Sequence, residues 1–225
     1  MKIDILTIFP EMFDGFLNTS IIKRARESGK VEIRVHNFRD YSLDKHGRVD
    51  DYPYGGGAGM VLMCEPIFRA VEDIKTDDSM VIMLSPSGRV FKQELAIDLS
   101  KKKHLIFLCG HYEGFDERIK TIVDMELSIG DYVLTGGEVP SMVITDAITR
   151  LIPGVITSES LNSESFNDGL LDYPNYTRPE VFRGMRVPEV LLSGHHKNIE
   201  KYRQEEKIRL TKENRSDLSG GDNDG

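Results

Sequence analysis

Two short apolar runs, MVIML at 80–84 and LIFLC at 105–109, constrain the fold of this chain most strongly. A strand that is apolar at every position is typical of a parallel sheet with both faces covered, because neither set of alternating side chains meets water. Segments with helical periodicity, such as EPIFRAVEDI at 65–74, alternate with strand-like runs up to residue 152. This order predicts an α/β fold in which helices flank a parallel sheet.

The same patterns predict the remaining elements and the domain limits. We expect further strands at 2–8, 31–38 and 124–128 and further helices at 21–28, 92–100, 117–123 and 137–152. Beyond Pro153, the segment 155–178 is polar, rich in turn residues and longer than most loops of a compact domain. We therefore predict a domain at 1–154, a linker at 155–178, a small helical domain at 179–215 and a disordered tail at 216–225.

Composition argues against several classes of protein. No apolar run is long enough to cross a bilayer, and an acid and a proline interrupt the apolar start, which we interpret as a strand and not as a signal peptide. Cys64 and Cys109 are too few for a disulfide framework or a zinc site, so we expect reduced cysteines in a cytoplasmic protein. The net charge of −8 argues against a nonspecific nucleic-acid binder. It still allows local basic patches at 23–26, 101–103 or 197–215, each of which is otherwise a solvated helix face.

Three loops follow buried strands directly: LSPSGR at 84–89, CGHYEGFDER at 109–118 and SIGDYVLTGGE at 128–138. In open α/β sheets, ligands bind at the carboxyl ends of the strands, so these loops predict a ligand site, although each by itself is also ordinary turn chemistry. The loops contain no lysine, and their charge is mostly acidic. This composition favours a neutral or cationic ligand, such as an adenosine cofactor that carries a sulfonium, over a triphosphate.

A fourth loop, DDYPYGGGAGMVL at 50–62, combines glycines with two aromatic side chains. The glycines permit unusual backbone angles, and Tyr52 and Tyr54 could stack on a nucleobase. A flexible surface loop is the alternative interpretation.

Six segments carry a family resemblance: YGGGAGM, LSPSGR, CGHYEGFDERI, SIGDYVLTGGE, AITRLIPG and DGLLDYPNYTRP. Together they resemble the bacterial tRNA (guanine-N1)-methyltransferases of the SPOUT class, in which the same motifs occur in the same order. The resemblance extends from residue 1 to about 203. The resemblance implies a trefoil knot at the end of the α/β domain, S-adenosylmethionine as cofactor and a homodimer with the active site at the subunit interface. It also implies tRNA as substrate, methylated at N1 of the guanosine at position 37, and a need for Mg²⁺, for which no carboxylate cluster marks a dedicated site.

The resemblance assigns residues to the cofactor and to tRNA. For the cofactor these are Leu84, Ser85, Pro86, Gly110, Tyr112, Glu113, Gly114, Ser128, Ile129, Gly130, Asp131, Tyr132, Val133, Leu134, Gly136, Gly137 and Pro140. For tRNA they are Tyr54, Gly55, Gly56, Gly57, Lys197, Lys201 and Arg203.

The reaction that the resemblance implies needs a base to remove the N1 proton of guanine and a cation for the charge that builds on O6. Arg150 is the expected cation, although an arginine that complements a helix dipole is the alternative. Glu164 stands where the family usually has an aspartate before Ser-Phe and is the expected base, with Asp168 and Asp172 as rivals. Another departure is His111, where the family usually has an arginine.

Two other classes remain open. An α/β enzyme that uses a dinucleotide should show a glycine fingerprint after the first strand, and TIFPEMF at 7–13 shows none. A catalytically weak, SPOUT-like RNA-binding protein is the second alternative, which the change to Glu164 keeps in consideration.

Overall fold

A computed structural model describes residues 1–157, 165–166 and 168–218. The chain forms two compact units, Met1–Ile156 and Thr157–Gly225. The sheet and the three loops after its buried strands belong to the first unit.

The first unit is built around a five-stranded sheet whose neighbouring strands are all parallel. Its strands are β1 (Lys2–Thr7), β2 (Glu32–Asn37), β5 (Ser79–Val90), β6 (His104–Cys109) and β7 (Met125–Ser128), and a separate antiparallel pair is formed by β3 (Asp50–Asp51) and β4 (Val61–Leu62). The order across the five-stranded sheet is β2-β1-β6-β5-β7. The predicted α/β fold with a helix-flanked parallel sheet is confirmed.

Both faces of the sheet are covered, as the apolar runs predict. Strand β6 is buried at every position. Its side chains alternate between two apolar clusters: Leu105 and Phe107 belong to one, Ile106 and Leu108 to the other. A short helix, α1 (Asp14–Leu17), precedes the first long one. The helices that cover the first face are α2 (Ser20–Glu27), α4 (Gln93–Ser100) and α5 (Glu138–Thr149). Helix α3 (Cys64–Ile74) covers the second face.

Two segments differ from their predictions. The segment predicted as a helix at 117–123 is a 3-10 helix, Glu117–Ile122. Strand β5 does not end at Leu84, because the chain bulges and pairs with β7 again at Arg89. Gly88 makes this second pairing possible, since a Cβ at this position would lie 2.5 Å from the backbone of Glu126.

The second unit contains more than the helices predicted at 179–215. An antiparallel hairpin of β8 (Val181–Phe182) and β9 (Met185–Arg186) precedes α6 (Glu189–Leu192) and α7 (His196–Asn214). The two residues between the hairpin strands, Arg183 and Gly184, both have positive φ, which is the backbone of a tight hairpin turn. Ser216–Leu218, predicted as the start of a disordered tail, form a 3-10 helix. Within the described parts of both units, no helix is long and apolar enough to span a membrane.

Candidate ligand site

A cavity of about 370 Å³ opens at the carboxyl ends of β6 and β7 and beside the bulge of β5, where the three loops meet. The third loop lies directly on the second, because Gly137 N donates to Gly110 O at 2.8 Å. A Cβ at Gly137 would lie only 2.7 Å from the Cα of Cys109, so the contact requires glycine. The position agrees with the rule that ligands bind beyond the carboxyl ends of parallel strands.

The structure brings the predicted cofactor residues together, with one exception. The cavity is lined by Leu84, Ser85, Pro86, Gly110, Tyr112, Glu113, Gly114, Ser128, Ile129, Gly130, Tyr132, Val133, Leu134, Gly136, Gly137 and Pro140. Asp131 is exposed and does not line the cavity, so its contact with the cofactor stays a prediction. It follows a turn at Gly130, whose N–H donates to Ser128 Oγ and whose O accepts from that hydroxyl.

Sequence reasoning missed several lining residues. These are Met83, His111, Phe115, Asp116, Glu117, Lys120, Leu127 and Thr135. Leu127 precedes the end of β7, and Met83 lies near the end of its apolar run, just before the bulge of β5, positions that could have indicated them. Lys120 lies in the 3-10 helix, just beyond the second loop, and lines the cavity. The cavity therefore contains a lysine although the three loops contain none.

Carboxylates dominate the charge at the cavity. Glu113, Asp116 and Glu117 line it, against one lysine. The Arg118 guanidinium, which donates from Nη2 to Asp116 Oδ2 at 2.7 Å, holds the pKa of Asp116 well below its usual range. The cavity therefore carries negative charge at neutral pH, which suits a cationic ligand.

The glycine-rich loop between β3 and β4 lies against the second loop of the cavity. Glu113 N donates to Met60 O at 3.0 Å. Gly59 lies so close that a Cβ there would be 2.6 Å from Glu113 Cγ. At the tip, Gly55, Gly56 and Gly57 have positive φ, and the side chain of Tyr54 is fully exposed. The loop thus presents an accessible aromatic ring from a segment that contacts the cavity wall.

Arg150 lies at the C-cap of α5, half-buried, and does not line the cavity. Its backbone N–H donates to Asp146 O at 3.2 Å. This position is compatible with the helix-terminal role as well as with a role in catalysis.

Glu164, the expected base, lies outside the described residues. Its rival Asp168 is described, and its carboxylate is committed to Lys207, whose Nζ lies 2.6 Å from Oδ2. Burial raises the pKa of Asp168, but the hydrogen bonds from Lys207 and from Leu170 N outweigh burial, so the pKa lies below its usual value. A carboxylate that is already paired and has a lowered pKa is a weaker base.

One face of α7 holds the segment 168–173. Thr211 Oγ1 accepts from Leu171 N at 2.9 Å, one turn beyond the Lys207 contact to Asp168. The guanidinium of Arg203 lies 4.8 Å from the ring centre of Tyr173. Arg203, predicted to bind tRNA, therefore also packs against its own unit.

The other two basic residues predicted to bind tRNA are more accessible. Lys197 is exposed in the first turn of α7. Lys201 is exposed and forms an ion pair with Glu205 at 3.7 Å. Within the described ranges, no group of three or more His, Cys, Asp and Glu side chains could hold a metal ion, so the Mg²⁺ requirement stays a prediction without a site.

The parallel sheet and the acidic, glycine-lined cavity define an α/β protein with a candidate ligand site beyond the carboxyl ends of its strands. The family model described as tRNA (Guanine-1)-methyltransferase TrmD matches residues 1–221. The chain belongs to this family, as the six motifs indicated.

Named relatives cover almost the whole chain. A tRNA (guanine-N(1)-)-methyltransferase of Dictyoglomus turgidum is 58% identical over 219 residues, which are 97% of this chain and 89% of the relative. A protein of the same name from Staphylococcus aureus strain JH9 is 58% identical over 221 residues, 97% of this chain and 90% of the relative.

Proposed function

We propose that this chain transfers the methyl group of S-adenosylmethionine to N1 of the guanosine at tRNA position 37, immediately 3′ of the anticodon. Family membership and the names of the relatives support methylation of guanine in tRNA. The observation that carries the proposal is the acidic cavity at three adjacent strand ends, lined by all but one of the residues that the resemblance assigns to the cofactor.

The described residues fit this cofactor. A cavity of about 370 Å³ is in the size range of small-ligand sites. A Cβ at Gly114, which has a φ of +103°, would meet no atom within 4 Å, so the wall leaves open space there. The carboxylates of Glu113, Asp116 and Glu117 suit a positive centre. When bound, S-adenosylmethionine supplies a methyl carbon made electrophilic by the sulfonium.

Two side chains activate the nucleobase in this proposal. The Glu164 carboxylate would accept the N1 proton of guanine, and the Arg150 guanidinium would stabilise the negative charge that builds on O6. The ion pair of Asp168 with Lys207 and its lowered pKa favour Glu164 over this rival.

We infer that the active form is a homodimer in which the linker of one subunit serves the cofactor cavity of its partner. Val139 and Val143 lie four residues apart on one face of α5 and are 46% and 44% exposed. Met12, in a short helix that packs against α5, is 46% exposed. An apolar face of this kind, beside the cavity residue Pro140, is suited to a subunit interface.

Two further parts of the proposal rest on the resemblance. The chain around the cavity forms a trefoil knot in this proposal, as the resemblance implies. The tRNA lies against Tyr54 and the glycines at 55–57 and against Lys197, Lys201 and Arg203 of α7. These local groups explain how a chain of net charge −8 binds a polyanion in the cytoplasm.

The test is transfer of a labelled methyl group to unmodified tRNA, with the wild type and E164Q. The wild type is expected to label N1 of guanosine 37. E164Q should bind S-adenosylmethionine as the wild type does but lose at least about 100-fold in turnover, because the amide cannot accept the proton.

The matched control is E159Q, a change of the same kind in the same stretch of sequence, which should keep wild-type turnover. Full turnover by E164Q with normal binding of cofactor and tRNA would remove Glu164 from the role. A wild type that binds tRNA but transfers no label would favour the RNA-binding alternative.

A further inference from the structure

A second cavity, of about 770 Å³, opens at the amino ends of β1 and β2. Because the sheet is parallel, this edge lies opposite the candidate ligand site, and the six residues of β6 span about 20 Å between the two edges. The proposed methyl transfer makes no use of this second cavity.

Four basic side chains line the second cavity: Lys2, Arg26, Arg34 and Lys103. We name these four residues the basic edge cluster. Glu32 is the one acidic side chain among the described lining residues. Positive charge is therefore concentrated at this edge, on a chain whose net charge is −8.

The fold assembles the basic edge cluster from separate stretches of sequence. Arg26 belongs to the basic stretch 23–26 and Lys103 to the basic stretch 101–103, each of which is a solvated helix face when considered alone. Lys2 N donates to Lys103 O at 2.8 Å, which places the starts of β1 and β6 side by side. One residue of each basic stretch thus reaches the same cavity.

Two members of the cluster are accessible and only weakly paired. The side chains of Arg34 and Lys103 are 58% and 76% exposed. Their carboxylate partners, Glu32 and Asp78, are also more than half exposed, so water screens both ion pairs. Both cations are therefore available to a ligand of higher negative charge.

The lining offers positive charge without an exposed apolar anchor. None of the described lining residues is aromatic, and the apolar side chains of Val31 and Ile33 are buried. Protein interfaces depend on aromatic or apolar anchors, and stacking on nucleobases depends on aromatic rings. The second cavity therefore suits the charged backbone of a polyanion better than a protein surface or a nucleobase.

The cations are also spread out. Strands β2, β1 and β6 are consecutive in the sheet, so the backbone of β2, which carries Arg34, lies about 10 Å from that of β6, which Lys103 precedes. A chain of phosphates can contact the cations where they stand. One small anion would have to draw the long side chains together, at the cost of their rotamer freedom.

We propose that the basic edge cluster binds the phosphodiester backbone of RNA without regard to base sequence. Guanidinium and ammonium groups form charge-assisted hydrogen bonds and ion pairs with phosphate oxygens. Because the cluster lies at the edge opposite the candidate ligand site, it binds an RNA segment other than the one that carries the methylated guanine. The choice of RNA as the polyanion rests on the proposed function.

The test measures binding of labelled oligo(U) and oligo(A) of about 12 nucleotides to the full chain, by fluorescence anisotropy over a range of salt concentrations. We expect R34Q and K103Q each to weaken both RNAs about threefold. Each variant should also reduce the slope of the logarithm of the dissociation constant against the logarithm of salt concentration by about 0.7, the value for one phosphate contact to a single strand. The double variant R34Q/K103Q should reduce the slope by about twice as much.

The matched control is K101Q. Lys101 is close to Lys103 in sequence and is also exposed, and each lysine lies 3.0 Å from a carboxylate, Asp98 for Lys101 and Asp78 for Lys103. Lys101 does not line the second cavity. K101Q should bind both RNAs with the dissociation constant and the slope of the wild type.

Several results would overturn the inference. If K101Q weakens RNA as much as K103Q does, or if R34Q has no effect, the basic edge cluster is not the site. If inorganic triphosphate displaces the RNA at equal concentration, the ligand is a free polyphosphate. If a peptide of glutamates does so, the partner is an acidic protein.

Methyl transfer to tRNA by the wild type is measured separately, so the two failures can be distinguished. A wild type that transfers the methyl group while R34Q and K103Q bind RNA normally would contradict this inference and leave the proposed function standing. A wild type that transfers no methyl group, with RNA binding that R34Q and K103Q weaken, would support the RNA surface and contradict the proposed function.

Discussion

At the scale of single residues, Asp4 is the most strongly constrained charge of the first unit. It is fully buried, and three side chains contact its carboxylate: Lys2 Nζ at 2.7 Å, His36 Nε2 at 2.7 Å and His104 Nε2 at 2.6 Å. Burial raises the pKa of Asp4, but the hydrogen bonds from His36, Lys2 and His104 outweigh it and lower the pKa from 3.8 to about 2. The carboxylate therefore ties β1 to both neighbouring strands, β2 and β6.

The lowered pKa predicts that Asp4 stabilises the fold only while it is ionised. Because the folded value lies below the unfolded value, the contribution is complete above the unfolded pKa and is lost as the pH falls through about 2. A shift of this size corresponds to about 2 kcal/mol, so D4N should lower the free energy of unfolding by at least about that amount at pH 7. Urea unfolding should show the gap between wild type and D4N narrowing between pH 4 and pH 3.

The control for this prediction is D78N. Asp78 forms an ion pair with Lys103 in which both side chains are more than half exposed, so its loss should change stability little. A gap between wild type and D4N that stayed constant down to pH 3 would contradict the assigned role.

At the scale of elements, the contact between the second and third loops shapes the cavity. Gly137 does not need the conformational freedom of glycine, because its φ is −83°. It needs the small size, since a Cβ would meet the backbone of Cys109 and Gly110 at 2.7 to 3.1 Å. A backbone neighbour cannot rotate away as a side chain can.

G137A is therefore expected to separate the two loops. The dissociation constant for S-adenosylhomocysteine should rise at least about tenfold, and the overpacking should cost about 1–3 kcal/mol of stability. Calorimetry and thermal unfolding measure the two effects.

G15A is the matched control. A Cβ at Gly15 would meet nothing within 4 Å, and the residue lies in α1, where alanine is favoured by about 0.5–1 kcal/mol. G15A should bind the ligand normally and unfold at the same temperature or higher. If G137A also binds normally, the loop contact does not shape the site.

At the scale of the whole molecule, the proposed dimer predicts complementation between two inactive chains. R150A and E164A should each be inactive alone. If a site takes Arg150 from one subunit and Glu164 from the other, a mixed dimer has one site with both residues intact. Co-refolding equal amounts should then restore about a quarter of wild-type activity, because half of the dimers are mixed and each has one working site of two.

The control for complementation is R150A mixed with the double variant R150A/E164A, which has no intact arginine and should stay inactive. Absence of rescue with the first pair, from chains that form dimers, would show that both residues act from one subunit.

The parallel sheet and the place of the ligand site follow from local patterns in the sequence. An apolar run such as 105–109 predicts a strand that is buried on both faces of the sheet. Parallel strands end at the same edge of a sheet, so the glycine-rich loops that follow such runs predict a ligand site at that edge. The motifs then indicated the family, which the comparison with known proteins confirms.

Other features depend on residues that are distant in sequence and become neighbours in the folded chain. The approach of Gly137 to Cys109, the pairing of Asp168 with Lys207 and the position of Lys120 at the cavity have no local signature. Asp131 shows the converse, since it lies inside the motif yet is exposed and does not line the cavity. Periodicity shows which side of a segment is buried, but packing between segments decides which groups touch, and in this protein the charges at the cavity are set by that packing.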